Sequence, residues 1–208
     1  MPKAWIQNRK RDYYYKKAKQ EMYRSRAAYK LFQSIRKYGF ISLGDVVIDL
    51  GAAPGGWIQA ARKTVGNKGF VLGVDMKPIE PFTQHYVRTI ICDITEEEDA
   101  LQQILELLPR KADAVISDAS PNISGIWEVD HARQIDLAQK ALHIASVTLR
   151  QGGNFFVKVF QGDMLDDFVE KVKPHFRLVR VIKPDASRAK SSEMYVLATY
   201  FKPSETGQ

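Results

Sequence analysis

VVIDLGAAPGGW, residues Val46–Trp57, predicts a strand, a tight turn and the start of a helix. The apolar stretch VVIDL is typical of a buried strand, and the glycines at positions 51, 55 and 56 permit a sharp turn and close approach of a ligand. In α/β proteins such a turn holds a nucleotide-like ligand between the strand end and the helix N-terminus. The stretch therefore predicts an α/β fold with a cofactor site at this turn.

The details of the turn indicate which cofactor binds. A dinucleotide site has the pattern G-x-G-x-x-G, but the middle glycine here is Ala53, and Pro54 has no amide hydrogen for a phosphate. Asp49, two residues before the first glycine, disfavours a phosphate and suits a cationic ligand. S-adenosylmethionine (SAM), which carries an ammonium and a sulfonium and no phosphate, fits this turn best. A nucleotide-dependent oxidoreductase is the alternative.

Apolar runs alternate with helical patterns along the rest of the chain. We expect strands at Val46–Leu50, Phe70–Asp75, Thr89–Ile94, Ala112–Asp118, Asn154–Phe160, Phe176–Ile182 and Glu193–Phe201. We expect helices at Ser25–Tyr38, Gly56–Thr64, Glu96–Leu108, Val129–Leu149 and Asp163–Lys173. Thr95 should open the third helix, and Gly152–Gly153 should close the fourth. This order predicts a Rossmann-like, seven-stranded, mostly parallel sheet with helices on both faces and an antiparallel last strand.

Composition narrows the class of protein. The 208 residues, 45% hydrophobic and 26% charged, are typical of one globular domain. No apolar run reaches the roughly 20 residues needed to span a bilayer, and the N-terminus lacks the apolar segment of a signal peptide. The single cysteine, Cys92, excludes an internal disulfide, and the histidines are scattered, so no metal site is expected. We therefore expect a cytoplasmic protein with no membrane association.

Positive charge is concentrated in residues 1–38, which we call the basic arm. The arm has 12 Lys/Arg and 2 Asp/Glu, a net charge of +10 against +7 for the whole chain. Its interleaved aromatic residues are Trp5, Tyr13, Tyr14, Tyr15, Tyr23 and Tyr29. Basic groups attract phosphates and aromatic rings stack on bases, which favours nucleic-acid binding over a frayed, solvated tail. A second basic cluster would strengthen this interpretation if it shared a face with the arm: Arg177, Arg180, Lys183, Arg188 and Lys190.

Two aspartates should lie with the glycine turn at the carboxyl ends of the strands, where ligands bind in α/β sheets. Asp75 follows Asp49 by 26 residues, a distance that suits a carboxylate binding ribose hydroxyls. Asp93, near the end of the third strand, could accept a hydrogen bond from an adenine amino group. For both, capping of the following helix is the alternative.

Three more ionisable residues should meet at the same edge. Lys158 lies inside the apolar strand FFVKVF, where a buried ammonium needs a partner, although a lysine at the sheet rim is the alternative. Asp118 ends the preceding strand, and a loop rather than a helix follows it. Glu193 begins the antiparallel last strand, whose start lies at the edge where the parallel strands end. The topology therefore predicts that Asp118, Lys158 and Glu193 converge.

Five motifs, in order along almost the whole chain, resemble the FtsJ/RrmJ family of SAM-dependent RNA ribose 2′-O-methyltransferases. They are SRAAYKL (Ser25–Leu31), DLGAAPGGW (Asp49–Trp57), SDASPNISG (Ser117–Gly125), FVKVFQG (Phe156–Gly162) and KPDASRAKSSEMY (Lys183–Tyr195). The resemblance implies that Lys30, Asp118, Lys158 and Glu193 form the catalytic set. It implies SAM contacts at Gly51, Gly55, Gly56, Trp57, Asp75, Asp93 and Asp118. The chain then divides into the basic arm, which supplies Lys30 and binds RNA, and a methyltransferase domain, residues 39–208.

The resemblance also implies a substrate. Asn122 is similar to the residue at this position in the ribosomal branch of the family, whereas tRNA-modifying members more often have Asp there. The preceding residues, Ala119-Ser120, are a small departure from the ribosomal branch, which usually has Met-Ala. The implied target is a uridine ribose of large-subunit rRNA in the peptidyl-transferase centre, within the ribosomal subunit. Lys158 would act as the base, or stay charged and orient the hydroxyl. A tRNA methyltransferase and a catalytically silent RNA-binding homologue are the alternatives. We expect the protein to be a monomer with no obligate protein partner.

Overall fold

Seven strands and six α-helices follow one another along residues 13–188 and 190–203, the residues that this computed structural model describes. The strands are β1 (Val46–Leu50), β2 (Phe70–Asp75), β3 (Val87–Ile91), β4 (Ala112–Ser117), β5 (Leu149–Phe160), β6 (Phe176–Ile182) and β7 (Glu193–Phe201). The helices are α1 (Tyr13–Gln20), α2 (Ala28–Tyr38), α3 (Gly56–Val65), α4 (Glu97–Leu107), α5 (Trp127–Thr148) and α6 (Leu165–Val172). Short 3₁₀ turns at Gly66–Lys68 and Lys173–His175 precede β2 and β6.

All seven strands form one sheet in the order β3-β2-β1-β4-β5-β7-β6. Strands β1 to β5 pair in parallel, and β7 lies antiparallel between β5 and β6. The predicted Rossmann-like, mostly parallel sheet with an antiparallel last strand is confirmed. Because parallel strands end at the same edge, the segments after β1, β2, β4 and β5 meet there with the first residues of β7.

Helices cover both faces of the sheet because its central strands are apolar on both sides. Strand β1 is buried along its whole length, as is usual for a strand inside a parallel sheet. Leu31 of α2 and Ile58 of α3 pack on one face. Ile104 of α4, Ile135 of α5 and Phe168 of α6 pack on the other. No helix among the described residues is long and apolar enough to cross a membrane.

The described part of the basic arm, residues 13–38, contains two helices rather than one. The predicted helix Ser25–Tyr38 begins at Ala28 as α2, and α1 precedes it. Trp5 and the rest of residues 1–12 lie outside the described residues. Gly39 ends α2 in the left-handed conformation (φ 64°), and its amide donates to the Ile35 carbonyl. Helix α1 packs back on α2, where Gln33 Nε2 donates to the Tyr14 hydroxyl at 2.9 Å.

Two element boundaries differ from the prediction for physical reasons. Thr95 does not cap α4: its amide and hydroxyl both donate to Asp93 Oδ1, at 2.9 and 2.8 Å, and β3 has already ended at Ile91. Gly152–Gly153 do not close α5, because α5 ends at Thr148 and both glycines lie inside β5. The β4–β5 register shifts between Ala112 and Ala114, and Gly152, with φ 78°, lies in this irregular stretch.

Candidate active site

Four ionisable side chains from distant parts of the sequence form one cluster at the carboxyl edge of the sheet. Lys158 Nζ lies 3.5 Å from Asp118 Oδ1 and donates to the Asp118 carbonyl at 2.8 Å. Lys30 Nζ lies 3.9 Å from the same carboxylate oxygen and donates to Glu193 Oε2 at 2.9 Å. The structure therefore brings together the whole predicted set of Lys30, Asp118, Lys158 and Glu193.

Sheet register explains how three of these residues meet. Asp118 directly follows β4, which pairs with β5 through Ser117 and Val157. In the β5–β7 ladder, Lys158 lies opposite Tyr195 and Phe160 lies opposite Glu193. Antiparallel pairing thus returns the start of β7 to the end of β5, as the sequence predicted.

Lys30 reaches the cluster because α2 lies over this part of the sheet. The Trp57 indole donates to the Ala27 carbonyl at 2.8 Å and so ties the start of α2 to α3. Lys30 is 7% exposed, which leaves its ammonium dependent on partners inside the protein. The position of the catalytic edge and that of the basic arm are therefore fixed together.

Tyr195 is a central member of the cluster that the sequence did not single out. Its hydroxyl donates to Asp118 Oδ1 at 2.7 Å and accepts from Lys30 Nζ at 3.0 Å. The side chain is completely buried and its ring stacks on Phe156. Its alternation with Glu193 along β7 is the signal that could have placed it on the same face.

Electrostatics keep Asp118 ionised although it is largely buried. Burial raises the pKa of Asp118, but the ammonium groups of Lys158 and Lys30 and the Tyr195 hydrogen bond outweigh it, so the pKa lies below its usual value. Burial, followed by the charges of Asp118 and Glu193, raises the pKa of Tyr195 well above its usual value. Tyr195 is therefore a fixed hydrogen-bond donor to Asp118.

Gln134 supports this edge from the opposite face of the sheet. Its Nε2 donates to the Lys158 carbonyl at 3.0 Å and to the Ala119 carbonyl at 3.2 Å. It is 1% exposed and lies in α5. One amide group thus fixes both the strand that carries Lys158 and the loop that follows Asp118. A lone glutamine in a long helix gave no sequence signal for this contact.

The glycine turn lies beside the cluster, at the ends of β1 and β2. The amides of Gly51 and Ala52 donate to the Val74 carbonyl, at 2.8 and 3.1 Å. Gly51 has φ 74°, and a Cβ there would come within 2.6 Å of Ala119, so the loop after β4 approaches the turn as only glycine permits. The turn and the cluster therefore share the segment Asp118–Ala119.

Gly55, Gly56 and Trp57 begin α3 and also hold the basic arm. Gly55 is the N-cap of α3, with φ 104° and no side-chain cap. A Cβ at Gly56 would come within 2.1 Å of Ser25 Oγ, so this glycine makes room for the arm. The Trp57 indole is buried and stacks on Phe156. The Trp57 side chain thus packs in the core and against the basic arm.

The two predicted cofactor aspartates are found at the expected edge. Asp75 Oδ2 accepts from the Ala53 amide at 2.9 Å, and its Oδ1 accepts from the Lys77 amide at 2.8 Å. Asp93 is partly exposed and accepts from Thr95. Asp75 is therefore held against the glycine turn rather than capping a helix, whereas Asp93 organises the turn before α4.

Asp49 is placed differently from the prediction. The sequence suggested a carboxylate beside the ligand, but the side chain is completely buried. Burial, together with the charges of Asp118 and Asp75, raises the pKa of Asp49 well above its usual value, which disfavours its charged form. The structure therefore places Asp49 beneath the turn, where burial disfavours the charge that would suit a cationic ligand.

Comparison with known proteins assigns the family. Residues 23–201 match the FtsJ-like methyltransferase family. The chain belongs to this family. It is therefore an enzyme, a methyltransferase that uses SAM as its cofactor, and the oxidoreductase alternative is wrong.

Individual relatives agree with the family. Ribosomal RNA large subunit methyltransferase E of Methanocaldococcus jannaschii is 54% identical over 199 residues, covering 94% of this chain and 81% of that protein. The protein of the same name from Methanothrix thermoacetophila is 55% identical over 187 residues, covering 90% of this chain and 71% of that one. A crystal structure from Plasmodium falciparum, provisionally described as a ribosomal RNA methyltransferase, has a TM-score of 0.78 at 30% identity; the match covers 86% of this chain and 98% of that chain.

The residues at the glycine turn fit SAM chemically. None of residues 51–56 has a side chain larger than that of proline, so the turn itself places no bulky group at the end of β1. The carboxylate of Asp75 is fixed at the end of β2 and offers acceptors for ribose hydroxyls. Met76 and Ile91, 62% and 64% exposed, offer apolar surface at the ends of β2 and β3. An adenine ring is a suitable partner for such a surface.

Proposed function

We propose that this methyltransferase modifies the 2′-hydroxyl of a ribose in large-subunit rRNA, at a uridine of the peptidyl-transferase centre. The observation that carries the proposal is the buried cluster of two lysines and two carboxylates beside the glycine turn. An RNA ribose has no acidic proton, so an enzyme must hold and activate its hydroxyl, and a lysine at the sheet edge suits this task. The names of the Methanocaldococcus and Methanothrix relatives support rRNA as the substrate.

Lys158 is the proposed base. SAM supplies an electrophilic methyl group on a positively charged sulfur. As the bond from the ribose oxygen to the methyl carbon forms and the bond from carbon to sulfur breaks, Lys158 Nζ takes the hydroxyl proton. This step needs Lys158 as a neutral amine; if it remains an ammonium, it orients the hydroxyl by donating a hydrogen bond, and the proton leaves to water.

The other members of the cluster hold Lys158 and the ribose in place. Asp118 binds Lys158 through both its carbonyl and its carboxylate, which fixes the direction of Nζ. Lys30 and Glu193 pair with each other at 2.9 Å, and Glu193, whose side chain is 27% exposed, can accept from a ribose hydroxyl. Tyr195 joins the two halves through Asp118 and Lys30. Preorganised groups of this kind lower the barrier because they need no rearrangement during the reaction.

We further propose that the basic arm, residues 1–38, binds RNA phosphates, and that the enzyme acts in the cytoplasm as a monomer. The arm carries Lys30 into the active site, so binding of RNA to the arm would bring the target ribose to the catalytic edge. Phosphate contacts of this kind give affinity and position without sequence specificity. Specificity for one uridine would then come from the folded rRNA around it.

The test is methyl transfer from labelled SAM to ribosomal subunits, free rRNA and tRNA, supplied separately. We expect alkali-resistant label in large-subunit rRNA at a single uridine, because a 2′-O-methyl group blocks cleavage of the neighbouring phosphodiester. Lys158→Met should abolish it. Label in tRNA alone would replace the rRNA proposal with the tRNA alternative. SAM binding without transfer to any RNA would favour the catalytically silent homologue.

A further inference from the structure

A basic groove leads away from the active site along helix α2. One wall is α2, and the other is the edge strand β6 with the β6–β7 loop. At the catalytic end the groove is lined by Arg26, Lys30, Arg188, Lys190 and Glu193. Its middle is lined by Gln33, Arg36, Lys37, Lys183 and Asp185. Its far end is lined by Lys37, Tyr38, Arg150, Arg180, Thr199 and Tyr200.

The three parts form one continuous surface with strong positive charge. The middle and the far end share Lys37 and Tyr38, and one turn of α2 separates Lys30 from Gln33. Nine lining residues are Lys or Arg, against two acidic ones. Lys30 is paired with Glu193 and Arg150 with Asp113, and the remaining seven cations still outnumber the one other lining carboxylate, Asp185. Such a concentration of cations beside a catalytic edge suits a polyanion that passes through the active site.

The far end also offers aromatic surface. Tyr200 is 56% exposed and has φ 62°, an unusual backbone conformation for a tyrosine in a strand. Tyr38 lies across the groove at the end of α2, with the Lys37 ammonium 5.4 Å from its ring centre. Exposed aromatic rings among cations are typical of surfaces that bind single-stranded nucleic acid, because bases stack on the rings.

The dimensions of α2 set the length of RNA that the groove can hold. Lys30 and Lys37 are two helical turns apart, about 10 Å. Stacked nucleotides advance about 3.4 Å each along a strand, so the groove spans about three nucleotides before its far end. Arg150, Arg180 and Tyr200 lie beyond that point.

Strand β6 shows which part of the second basic cluster belongs to this groove. Side chains alternate along a strand, and Ile182 packs with the core on the α2 side, whereas Val179 packs with the core on the other side. Arg180 therefore faces the groove, whereas Arg177, also exposed and on the same strand, lines none of its three parts. The sequence could not tell whether this cluster shares a face with the arm; of its five members, all but Arg177 line the groove.

We propose that this groove binds the RNA strand that flanks the methylated ribose on one side. Lys37 and Arg180 contact phosphates at least three nucleotides from the target, and Tyr38 and Tyr200 stack on bases there. This inference rests on the proposed function, since it assigns the path of the same RNA. The inference also goes beyond the proposed function, because these RNA contacts lie outside the catalytic cluster and the glycine turn.

The test compares Arg180→Glu with Arg177→Glu, which make the same charge change on one strand, at a position that lines the groove and at one that does not. Binding of fluorescent RNA oligonucleotides containing the target uridine is measured for strands that extend two or eight nucleotides to either side. We expect Arg180→Glu to weaken binding of the long strand about fivefold to tenfold. Binding of the short strand should change less than twofold, and Arg177→Glu should change neither.

Salt dependence and turnover give independent readouts. The slope of log affinity against log salt should fall by about 0.7 for Arg180→Glu and stay unchanged for Arg177→Glu. At saturating rRNA, the Arg180→Glu enzyme should retain methyl transfer with a raised KM for RNA and an unchanged KM for SAM. If the two variants weakened RNA binding equally, or if binding of short and long strands fell equally, the proposal that this groove binds RNA would be wrong. The proposed methyltransferase activity would be unaffected by that result. Failure of the proposed function would instead appear as no methyl transfer by the unmodified enzyme.

Discussion

Strand β4 has a largely buried carboxylate at each end, and the two are neutralised by different cations. Near the start of β4, Asp113 contacts Arg110 at 2.6 Å and Arg150 at 2.5 Å, and accepts from the Val46 amide. Just past the end of β4, Asp118 lies between Lys158 and Lys30. In both cases burial opposes ionisation, yet the neighbouring cations and hydrogen bonds hold the pKa of the carboxyl below its usual value.

The difference lies in what the cations can do. The side chains of Arg110 and Arg150 are about half exposed, at 48% and 49%, and a guanidinium does not release its proton in proteins. The side chains of Lys30 and Lys158 are only 9% and 5% exposed, and a buried amine can exchange a proton. The same pairing of one carboxylate with two cations is therefore partly open to solvent at one end of the strand and enclosed at the other, where we propose that methyl transfer takes place.

The largest expected effect is loss of catalysis at the lysine end. Lys158→Met removes Nζ and keeps most of the length of the side chain. If Lys158 activates the hydroxyl, kcat for rRNA methylation should fall by about 10²–10⁴, since that is the usual contribution of a general base. The melting temperature should also fall by some degrees, because Asp118 loses one of its two cations, so kcat is measured well below it. SAM affinity should be retained.

Lys111→Met is the matched control, because Lys111 lies just before β4 at the opposite end and only donates to the Val147 carbonyl. We expect its kcat to equal that of the unmodified enzyme. Near-full turnover of Lys158→Met would contradict both proposed roles of Lys158.

A smaller effect should follow the loss of one hydroxyl group from the cluster. Tyr195→Phe removes the donor to Asp118, which helps to lower the pKa of Asp118. A hydrogen bond to a charged group is worth about 1.5–3 kcal/mol, so kcat should fall roughly tenfold to hundredfold. The pKa of Asp118 should rise, and the acidic limb of the kcat profile should therefore move to higher pH.

The pH profile separates this role from a packing effect. Tyr86→Phe, just before β3 and far from the cluster, should leave the profile in place. If Tyr195→Phe lowered kcat equally at every pH, Tyr195 would act through packing alone.

The smallest expected effect is on stability, at the arginine end. Asp113→Asn breaks both arginine contacts and should lower the melting temperature by roughly 3–10 °C at pH 7. Because the pKa of Asp113 is lower in the folded state, its stabilisation is present above the unfolded pKa of about 3.9 and is lost as pH falls through the folded pKa. The difference from the unmodified protein should thus shrink below pH 4.

Methyl transfer by Asp113→Asn, measured well below its melting temperature, should remain normal. Asp113 lies five strand positions, about 17 Å, from Asp118, so the two clusters should act independently. Loss of activity in a stable Asp113→Asn enzyme would show that the two ends of β4 are coupled.

The meeting of Asp118, Lys158 and Glu193 could be predicted from the sequence because it follows from topology. Five parallel strands must end at one edge, and a last strand joined by a short loop must return to that edge. Each residue is adjacent to or within an apolar strand that was easy to recognise. The SAM turn was predictable for a similar reason, since glycine and proline spacing restricts the local backbone.

Residues outside the strands, or inside the core, could not be placed in this way. Lys30 lies in a helix whose docking on the sheet depends on contacts such as that of Trp57 with Ala27, and only the family resemblance indicated it. Tyr195 and Gln134 act through contacts with distant segments. Alternation along β7 could have placed Tyr195 on the face of Glu193, but no spacing along the chain indicates which distant residues Tyr195 and Gln134 contact.

The sequence by itself determined the order of strands and helices, the glycine turn and the sheet edge at which Asp118, Lys158 and Glu193 meet, because these depend on local backbone preferences and apolar periodicity. Only the tertiary structure decided that Asp49 is buried beneath the turn, that Tyr195 bridges Lys30 and Asp118, and that Arg180 faces the groove while Arg177 does not. Burial and charge pairing depend on which segments pack together, and that packing is a property of the whole chain.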